Sequence, residues 1–551
     1  MAVTIDAGVV RHRIQVMDIP EVDFGTFLWN TCEEYGNRIA VTVADGASFS
    51  YGQLREQWLR VADALEWLGF GPGQRACVHA ANSSDLVLAI GGTLCAGGGI
   101  VFSKAVMTPS TLDFRQLGHV VVFGEVEGLI SFTKLLINAR ALECRAPRGV
   151  DADTMMGAFY SSGTTGVAKR VAISHRQWIA QLLASRELAA GQIGPEDLVL
   201  CASSLTHISG LWLFCGCLTL GVPLLLLPSF DAALLVPAVR KHKVTTIMIY
   251  PSYLRSLIDN APSEAFESVD KVFIGGSTAH VSLLHEAQDK FGFKFISQGY
   301  GLTETCGSVT STGLRSGGFG SVGKPVPMVQ LKVIDSSTGT KLGVGEKGEI
   351  CVKAPFTFMG YMNKPQETAA TFDDEGFVRT GDAGFYDVEG NVYVTGRLKE
   401  LIKCMELQIE PAEIERLLLQ DPDVQEALVL GVPHQRFGEA ARAFVVLRNG
   451  RSPAGGTEGR LRRAVAEVLP NHEHLHGGIE FVDHIPKSET GKSIRSGYEG
   501  CVLSKTGYSE PVKHTQAWPM LTVYIQWNAS RAKRCFYLNR NFQLAHFFPF
   551  T

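Results

Sequence analysis

The chain has 551 residues, which sets a first expectation of roughly two to four domains. Its 45% hydrophobic and 19% charged residues exclude a disordered chain and leave room for a large core. Lys plus Arg number 51 and Asp plus Glu 55, a formal charge of −4, so neither nucleic acid nor an anionic membrane is called for as a main partner.

Residues 1–20 show no apolar stretch followed by a small-residue cleavage site, so no secretory signal is read there. Residues 24–250 then alternate helix-like and strand-like segments. Within residues 51–68, Leu54, Trp58, Val61, Leu65 and Leu68 recur at helical spacing. Residues 75–80 read as a short strand and 85–95 as a helix. Such alternation predicts an α/β architecture with largely parallel sheets. Residues 198–230 hold no Asp, Glu, Lys or Arg and are long enough to span a bilayer. Thr206, His207 and Ser209 interrupt the first half, and Gly216, Gly221 and Pro223 break the second. A buried helix followed by a buried strand is therefore expected, and no transmembrane span. Residues 247–250 and 271–276 read as buried strands ending at loops, where open α/β sheets bind ligands. After about Val333 the texture changes to short strands and turns, at 348–353, 376–380 and 391–394. A second compact unit starts near Leu398, with a helix at 411–419, strands at 427–431 and 441–447, and a helix at 458–468. The tail from Ser496 has no clear period. Twelve cysteines are dispersed without a C-x-x-C pair, which reads as small buried thiols in a reducing compartment.

Four clusters carry chemistry. Tyr160 to Lys169 (YSSGTTGVAK) follows a strand-like stretch. Its glycines let backbone N–H groups approach an anion, its hydroxyls donate hydrogen bonds, and its lysine adds charge. This suits a triphosphate, although the Walker spacing is absent. Gln298 to Thr305 (QGYGLTET) offers a flat aromatic for a purine and, at Glu304, a hard carboxylate for magnesium. Arg379 to Asp382 (RTGD) offers an acceptor for ribose hydroxyls. Pro486 to Lys492 (PKSETGK) presents a lysine on a Gly-containing loop far along the chain. Taken singly, these have plain structural readings: a flexible loop, a surface turn, a capped turn and a solvated lysine.

In this order and spacing the clusters are specific. With Gly396 to Glu413 (GRLKELIKCMELQIEPAE) and the extension of the last motif to Arg495, the chain resembles the adenylate-forming superfamily of acyl-CoA synthetases, adenylation domains and beetle luciferases. Within it, the likeness is to the 4-coumarate–CoA ligase and luciferase-like branch, over residues 24–495. The resemblance implies an α/β fold: a large AMP-binding domain over residues 1–397, of mixed and parallel sheets flanked by helices with a small β-barrel-like part. A small, mobile α+β lid follows over 398–495. Residues 496–551 are an atypical tail that need not be structured.

The resemblance also implies a two-step reaction, in which ATP activates a carboxylic acid to an acyl-adenylate and coenzyme A then accepts the acyl group. By the same likeness, Ser161, Ser162, Gly163, Thr164, Thr165, Gly166 and Lys169 bind the β/γ-phosphates. Thr303 contacts the α-phosphate and Glu304 holds Mg2+. Ser277, Gly299, Tyr300 and Gly301 line the adenine site, Asp382 binds the ribose hydroxyls, and Arg397 lies close to them. Lys492 stabilises charge during adenylation, and Lys399 is the hinge about which the lid turns. His207 falls where the family has an aromatic or histidine beside the acyl pocket; a lone histidine in an apolar run is equally a satisfied core residue. Pocket walls are expected from residues 207–211, 250–254 and 275–279. Thr206 and its neighbours offer no carboxylate for an α-ammonium, which favours a small-molecule acid that is not an amino acid. The implied setting is intracellular, cytoplasmic or peroxisomal, in fatty acid metabolism, although residues 550–551 are no peroxisomal signal.

Three departures stand out. Glu406 occupies a position where the family has glycine near the thiol path, and Arg170 another glycine position. The segment between Pro109 and Gly118 is short, as though a supersecondary unit of roughly 30 residues were missing, a loss expected to expose core. The tail matches nothing in the family. Two alternatives to a ligase follow. One is a luciferase-like monooxygenase; the other is an impaired relative, an alternatively spliced or mispredicted product acting as a binding protein.

Overall fold

The computed structural model describes residues 3–103, 117–125, 129–138, 146–161, 169–277, 279–314, 317–405, 407–448, 453, 455–488, 493, 495 and 521–526. The large domain holds an eight-stranded, a nine-stranded and a six-stranded sheet, and the small domain a five-stranded one. The nine-stranded sheet is parallel through its middle, where Leu224–Leu226, Val199–Cys201, Thr246–Ile249, Lys271–Ile274 and Phe295–Leu302 lie side by side. Helices cover these strands, as the alternation in sequence requires. The six-stranded sheet is antiparallel and corresponds to the expected barrel-like part. It curls until Gly390 packs on Val3 and Val10 at the opposite edge, where a Cβ would lie 2.7 Å from Val3 Cγ2.

Helix Tyr51–Trp67 starts with a reciprocal cap between Ser50 and Gln53, and its periodic residues Leu54, Trp58, Val61 and Leu65 are buried. Helix Ser84–Cys95 crosses it so closely that only glycine fits. A Cβ on Gly91 would lie 2.2 Å from Trp58 Cε2. The Trp58 indole in turn donates to the Val87 carbonyl at 3.2 Å.

The uncharged stretch forms strand Val199–Cys201, helix Ile208–Leu220 and strand Leu224–Leu226, all against the core. Among the described residues no helix is long and apolar enough to cross a membrane. Cys215 and Cys217 are buried in that helix as free thiols. In the small domain, strands Val424–His434 and Gly438–Leu447 form a long antiparallel pair. Helices Pro411–Leu418 and Thr457–Val468 pack on it through Ile414, Leu418, Leu461 and Val465.

Strand Leu521–Gln526 of the tail is paired within the eight-stranded sheet of the large domain, between Arg75–His79 and Leu117–Phe123. An extension with no readable period thus contributes a strand, because strand formation here is decided by edges supplied hundreds of residues away. Residues 496–520 and 527–551 lie outside the described residues, as do the short segment at 109–116 and Glu406. Met405, which follows strand Ile402–Cys404, takes a left-handed φ of 54°, and that strand pairs antiparallel with Leu407–Ile409. That conformation favours Gly or Asn.

One buried histidine gives the large domain a pH dependence. His175 opens helix His175–Ala189, and its Nδ1 accepts the Phe24 N–H at 3.0 Å, tying the helix to Phe24–Tyr35. Burial pushes its pKa below the ordinary value, with the Asp23 carboxylate opposing. The folded chain therefore holds the ring neutral, whereas the unfolded chain takes up a proton near pH ~6.5. Stability is full above that pH and falls as the pH drops below it, by at most about 1.4 kcal/mol per unit. His175→Asn is expected to flatten this part of a pH series of thermal unfolding curves. Identical pH slopes for variant and parent would count against it.

Candidate functional site

A cleft of about 1500 Å³ is lined by the loops after the parallel strands, the six-stranded sheet and the small domain. Ser161, Lys169, His207, Ser277, Gly299, Tyr300, Gly301, Thr303, Glu304, Asp382, Arg397 and Lys399 all line it. Ser162 to Thr165, Gly166 and Lys492 fall outside the described residues.

Strands Met155–Tyr160 and Arg170–Ser174 form an antiparallel pair, closed by Ser161 N–H donating to the Lys169 carbonyl at 2.9 Å. The Lys169 ammonium pairs with Glu367 at 2.7 Å and sits 4.6 Å from the centroid of the Tyr361 ring. Tyr361 pairs in register with Val171 and donates its hydroxyl to Glu304 Oε1 at 2.9 Å. Burial, and then the Glu304 carboxylate, push the Tyr361 phenol up, so it stays a donor. Tyr361 and Glu367 were not singled out in the sequence; a Gly-Tyr pair 190-odd residues past the lysine gives no local signal.

Strand Phe295–Leu302 runs into the one-turn helix Thr303–Thr305, which carries Glu304. Gly301 approaches the Gly307 carbonyl so closely that a Cβ would lie 1.9 Å from its oxygen. The two backbone segments there pack with room for no side chain between them. The Tyr300 hydroxyl donates to Asp382 Oδ2 at 2.6 Å, and Arg397 Nε pairs with Asp382 Oδ1 at 2.8 Å. Asp382 and Arg397 face each other across strands Val378–Tyr386 and Val392–Arg397. Asp382 is thus the shared partner of a phenol and a guanidinium at the cleft wall. Burial foremost, then Asp382, holds the Tyr300 phenol well above its ordinary pKa.

His207 is half-buried; it caps helix Ile208–Leu220 and also lines the cleft. Its Nδ1 accepts the Ser209 N–H at 3.3 Å and bonds Ser209 Oγ at 2.8 Å. Ser209 Oγ in turn bonds the Tyr250 hydroxyl at 2.5 Å. Burial pushes that phenol up to about 12, against the hydrogen bonds from Ser203 and Ser209. Beyond His207 the wall becomes apolar. Leu188, Ala189 and Ile193 face Leu213, Gly216 and Leu220, with Trp212 donating to Ser185 Oγ at 3.0 Å. A Cβ on Gly216 would meet nothing within 4 Å. Gly275, Gly276 and Ser277 line the opposite side as expected, whereas Leu211 and Leu254 are core.

The small domain reaches the same cleft. Ser488 and Ser493, which bracket Lys492, both line it, and Lys487 and Ser493 form an antiparallel bridge. Arg495 pairs with Glu400 at 2.9 Å, beside Lys399 in the linking turn Leu398–Glu400, and with Glu415 at 2.9 Å. Arg448 meets Asp259 of the large domain at 3.3 Å. Among the described residues, no group of three or more His, Cys, Asp and Glu is placed to hold a metal ion by itself.

A two-domain α/β fold with a phenol–carboxylate–guanidinium cluster and a lysine-ended hairpin in its interdomain cleft is that of a nucleotide-using enzyme. The chain belongs to the AMP-binding enzyme family: that family's sequence profile matches residues 28–362, and the profile of its C-terminal domain matches 413–492. A luciferin 4-monooxygenase of Nipponoluciola cruciata is 29% identical over 533 residues, covering 88% of this chain and 96% of its own. The 4-coumarate–CoA ligase-like 2 protein of Arabidopsis thaliana is 32% identical over 390 residues, covering 70% and 68%. Among solved structures, the o-succinylbenzoate CoA synthetase of Bacillus subtilis in complex with its acyl-adenylate superposes with a TM-score of 0.75 at 26% identity, covering 88% of this chain and 99% of that one.

Proposed function

We propose that this chain activates a small carboxylic acid with ATP and transfers the acyl group to coenzyme A. The observation that carries this reading is the convergence of Lys169, Glu304, Tyr300, Asp382 and Arg397 on a cleft that both flanks of the Lys492 loop also line.

In the first step a carboxylate oxygen attacks the α-phosphorus, the bond to the β-phosphate oxygen breaks, and pyrophosphate leaves. Adenine stacks along Gly299 to Gly301, and the ribose hydroxyls donate to Asp382, which Tyr300 and Arg397 hold still. Lys169 exchanges Glu367 for the β/γ-phosphates. Lys492 approaches the α-phosphate as charge builds there. Glu304 has one oxygen taken by Tyr361, and its hard carboxylate suits Mg2+ held jointly with phosphates rather than in an all-protein cage. Bound there, the ion supplies neutralising charge. In the second step the thiol sulfur attacks the acyl carbonyl, AMP leaves, and the thiol proton passes to solvent or base. The lid turns about Lys399 between the two steps.

The acid's tail lies along the apolar wall between helices His175–Ala189 and Ile208–Leu220. The uncharged lining and the open space at Gly216 support an alkyl or aryl acid. Gly216→Phe is expected to lower kcat/KM for long or bulky acids about tenfold or more, while short acids keep their rate. An equal effect on every acid would contradict this placement.

The likeness to a luciferin 4-monooxygenase over most of the chain keeps oxygen chemistry as the second reading. Mass spectrometry of reactions with ATP, an acid panel and coenzyme A separates the two. Thioester and AMP are expected; adenylate that persists with coenzyme A but yields light with luciferin and oxygen favours the second reading.

A further inference from the structure

The eight-stranded sheet contains a strand whose origin is unlike that of its neighbours. Met155–Tyr160, Gly99–Ser103 and Arg75–His79 run parallel in succession, as a βαβ sheet does. The next position is filled by Leu521–Gln526, antiparallel to Arg75–His79 on one side and to Leu117–Phe123 on the other. Thr522 to Gln526 face His79 to Arg75 without a break, and Leu521 to Ile525 face Phe123 to His119, with one register shift before Gln526 meets Leu117. Without it, two ladders of backbone donors and acceptors would lie open in the middle of the sheet. Ala76, Val78, Val121 and Val122, all core residues, stand on those flanks. A buried peptide group left without a partner costs about 1–3 kcal/mol, so such a vacancy is untenable for a folded domain. The segment LTVYIQ is uncharged and rich in β-branched and aromatic residues, the composition that fits an inner strand.

We propose that the gap between Arg75–His79 and Leu117–Phe123 is a strand-accepting slot and that residues 521–526 of the same chain are its occupant. The tail is therefore a clasp. It closes the large domain's sheet from the far end of the chain, beside the strand Leu117–Phe123. Main-chain bonds give the slot its affinity, and the alternation of the inserted strand sets its register.

Two measurements on the full-length chain test this. Tyr524 lies directly opposite Cys77, and opposed residues of an antiparallel pair share a face with Cβ atoms about 4.5–5.5 Å apart, close to disulfide reach. Under mild oxidation, Tyr524→Cys is expected to form a disulfide to Cys77 within one monomer, mapped by peptide mass spectrometry. Ile525→Cys, on the other face, is expected to form none. The second measurement uses Val523→Pro combined with Ile525→Pro, which removes two ladder donors. Hydrogen exchange in peptides covering 75–79 and 117–123 is expected to quicken at least about tenfold. A synthetic peptide of residues 517–530, added in excess, is expected to slow it again, and a scrambled peptide is not. Unchanged exchange in the proline variant overturns the proposal. A disulfide joining two copies, or no disulfide at position 524, overturns the intramolecular clasp even where the proline variant fails to fold.

Discussion

Lys492→Ala is expected to lower ATP–pyrophosphate exchange by about a hundred- to a thousandfold while leaving ATP binding within a few-fold of the parent. The reasoning combines sequence and geometry. Lys492 adjoins Ser493, which lines the cleft, and Arg495 three residues on is anchored to Glu400 and Glu415. Ser493 and Arg495 thus hold the segment that follows Lys492 at the cleft, and the proposed mechanism brings the lysine to the α-phosphate as charge builds there. A single charged group acting on the developing charge of a transition state, in a cleft closed to water, contributes about 3–4 kcal/mol, or two to three powers of ten. The same group is expected to add little to ground-state binding, because the proposed nucleotide site at Lys169, Asp382 and Arg397 does not need it. The split is the test: kcat falls with the KM for ATP nearly unchanged. Exchange at the parent rate would remove Lys492 from the mechanism.

Asp382→Ala is expected to have the second-largest effect, on both binding and stability. The carboxylate is almost fully buried, with its side chain 5% exposed, and Arg397 keeps 30%. Burial disfavours the Arg397 charge and Asp382 compensates for it, so removing the carboxylate leaves a largely buried guanidinium without its partner. A fully buried pair broken on one side loses about 3–5 kcal/mol. The partial exposure of Arg397 scales that to about 2 kcal/mol here. Tyr300 loses its acceptor at the same time. The KM for ATP is expected to rise at least about tenfold, with a lowered unfolding midpoint by calorimetry. Tyr300→Phe removes one hydrogen bond and leaves the ion pair, so it is expected to cost only about 1 kcal/mol. Equal effects from the two variants would contradict the order of importance drawn from the geometry.

What the sequence disclosed depended on how local the physics is. The helix at Tyr51–Trp67 was readable because its stripe of Leu54, Trp58, Val61 and Leu65 and its Ser50–Gln53 cap are encoded within one segment. The same holds for the uncharged stretch, where Gly216, Gly221 and Pro223 argued against one continuous membrane helix. The four motif clusters were readable as a set, and each contributes described residues to one cleft, among them Ser161, Lys169, Glu304, Asp382 and Ser488. The side chains that pair with them were not readable. Glu367 on Lys169 and Tyr361 on Glu304 arise because strand Gly360–Tyr361 pairs with Arg170–Ser174, a contact between distant segments with no local signature. The tail strand is the extreme case. LTVYIQ is only a short β-prone run until the edges at Arg75–His79 and Leu117–Phe123 give it two partners.

The most direct measurement of the central claim is ATP–pyrophosphate exchange by the full-length protein across a panel of alkyl and aryl carboxylic acids. Acid-dependent exchange is predicted, strongest with acids that fill the apolar wall at Gly216 and absent without magnesium. A folded protein that binds ATP yet exchanges pyrophosphate with no acid in the panel would contradict adenylate formation at this cleft.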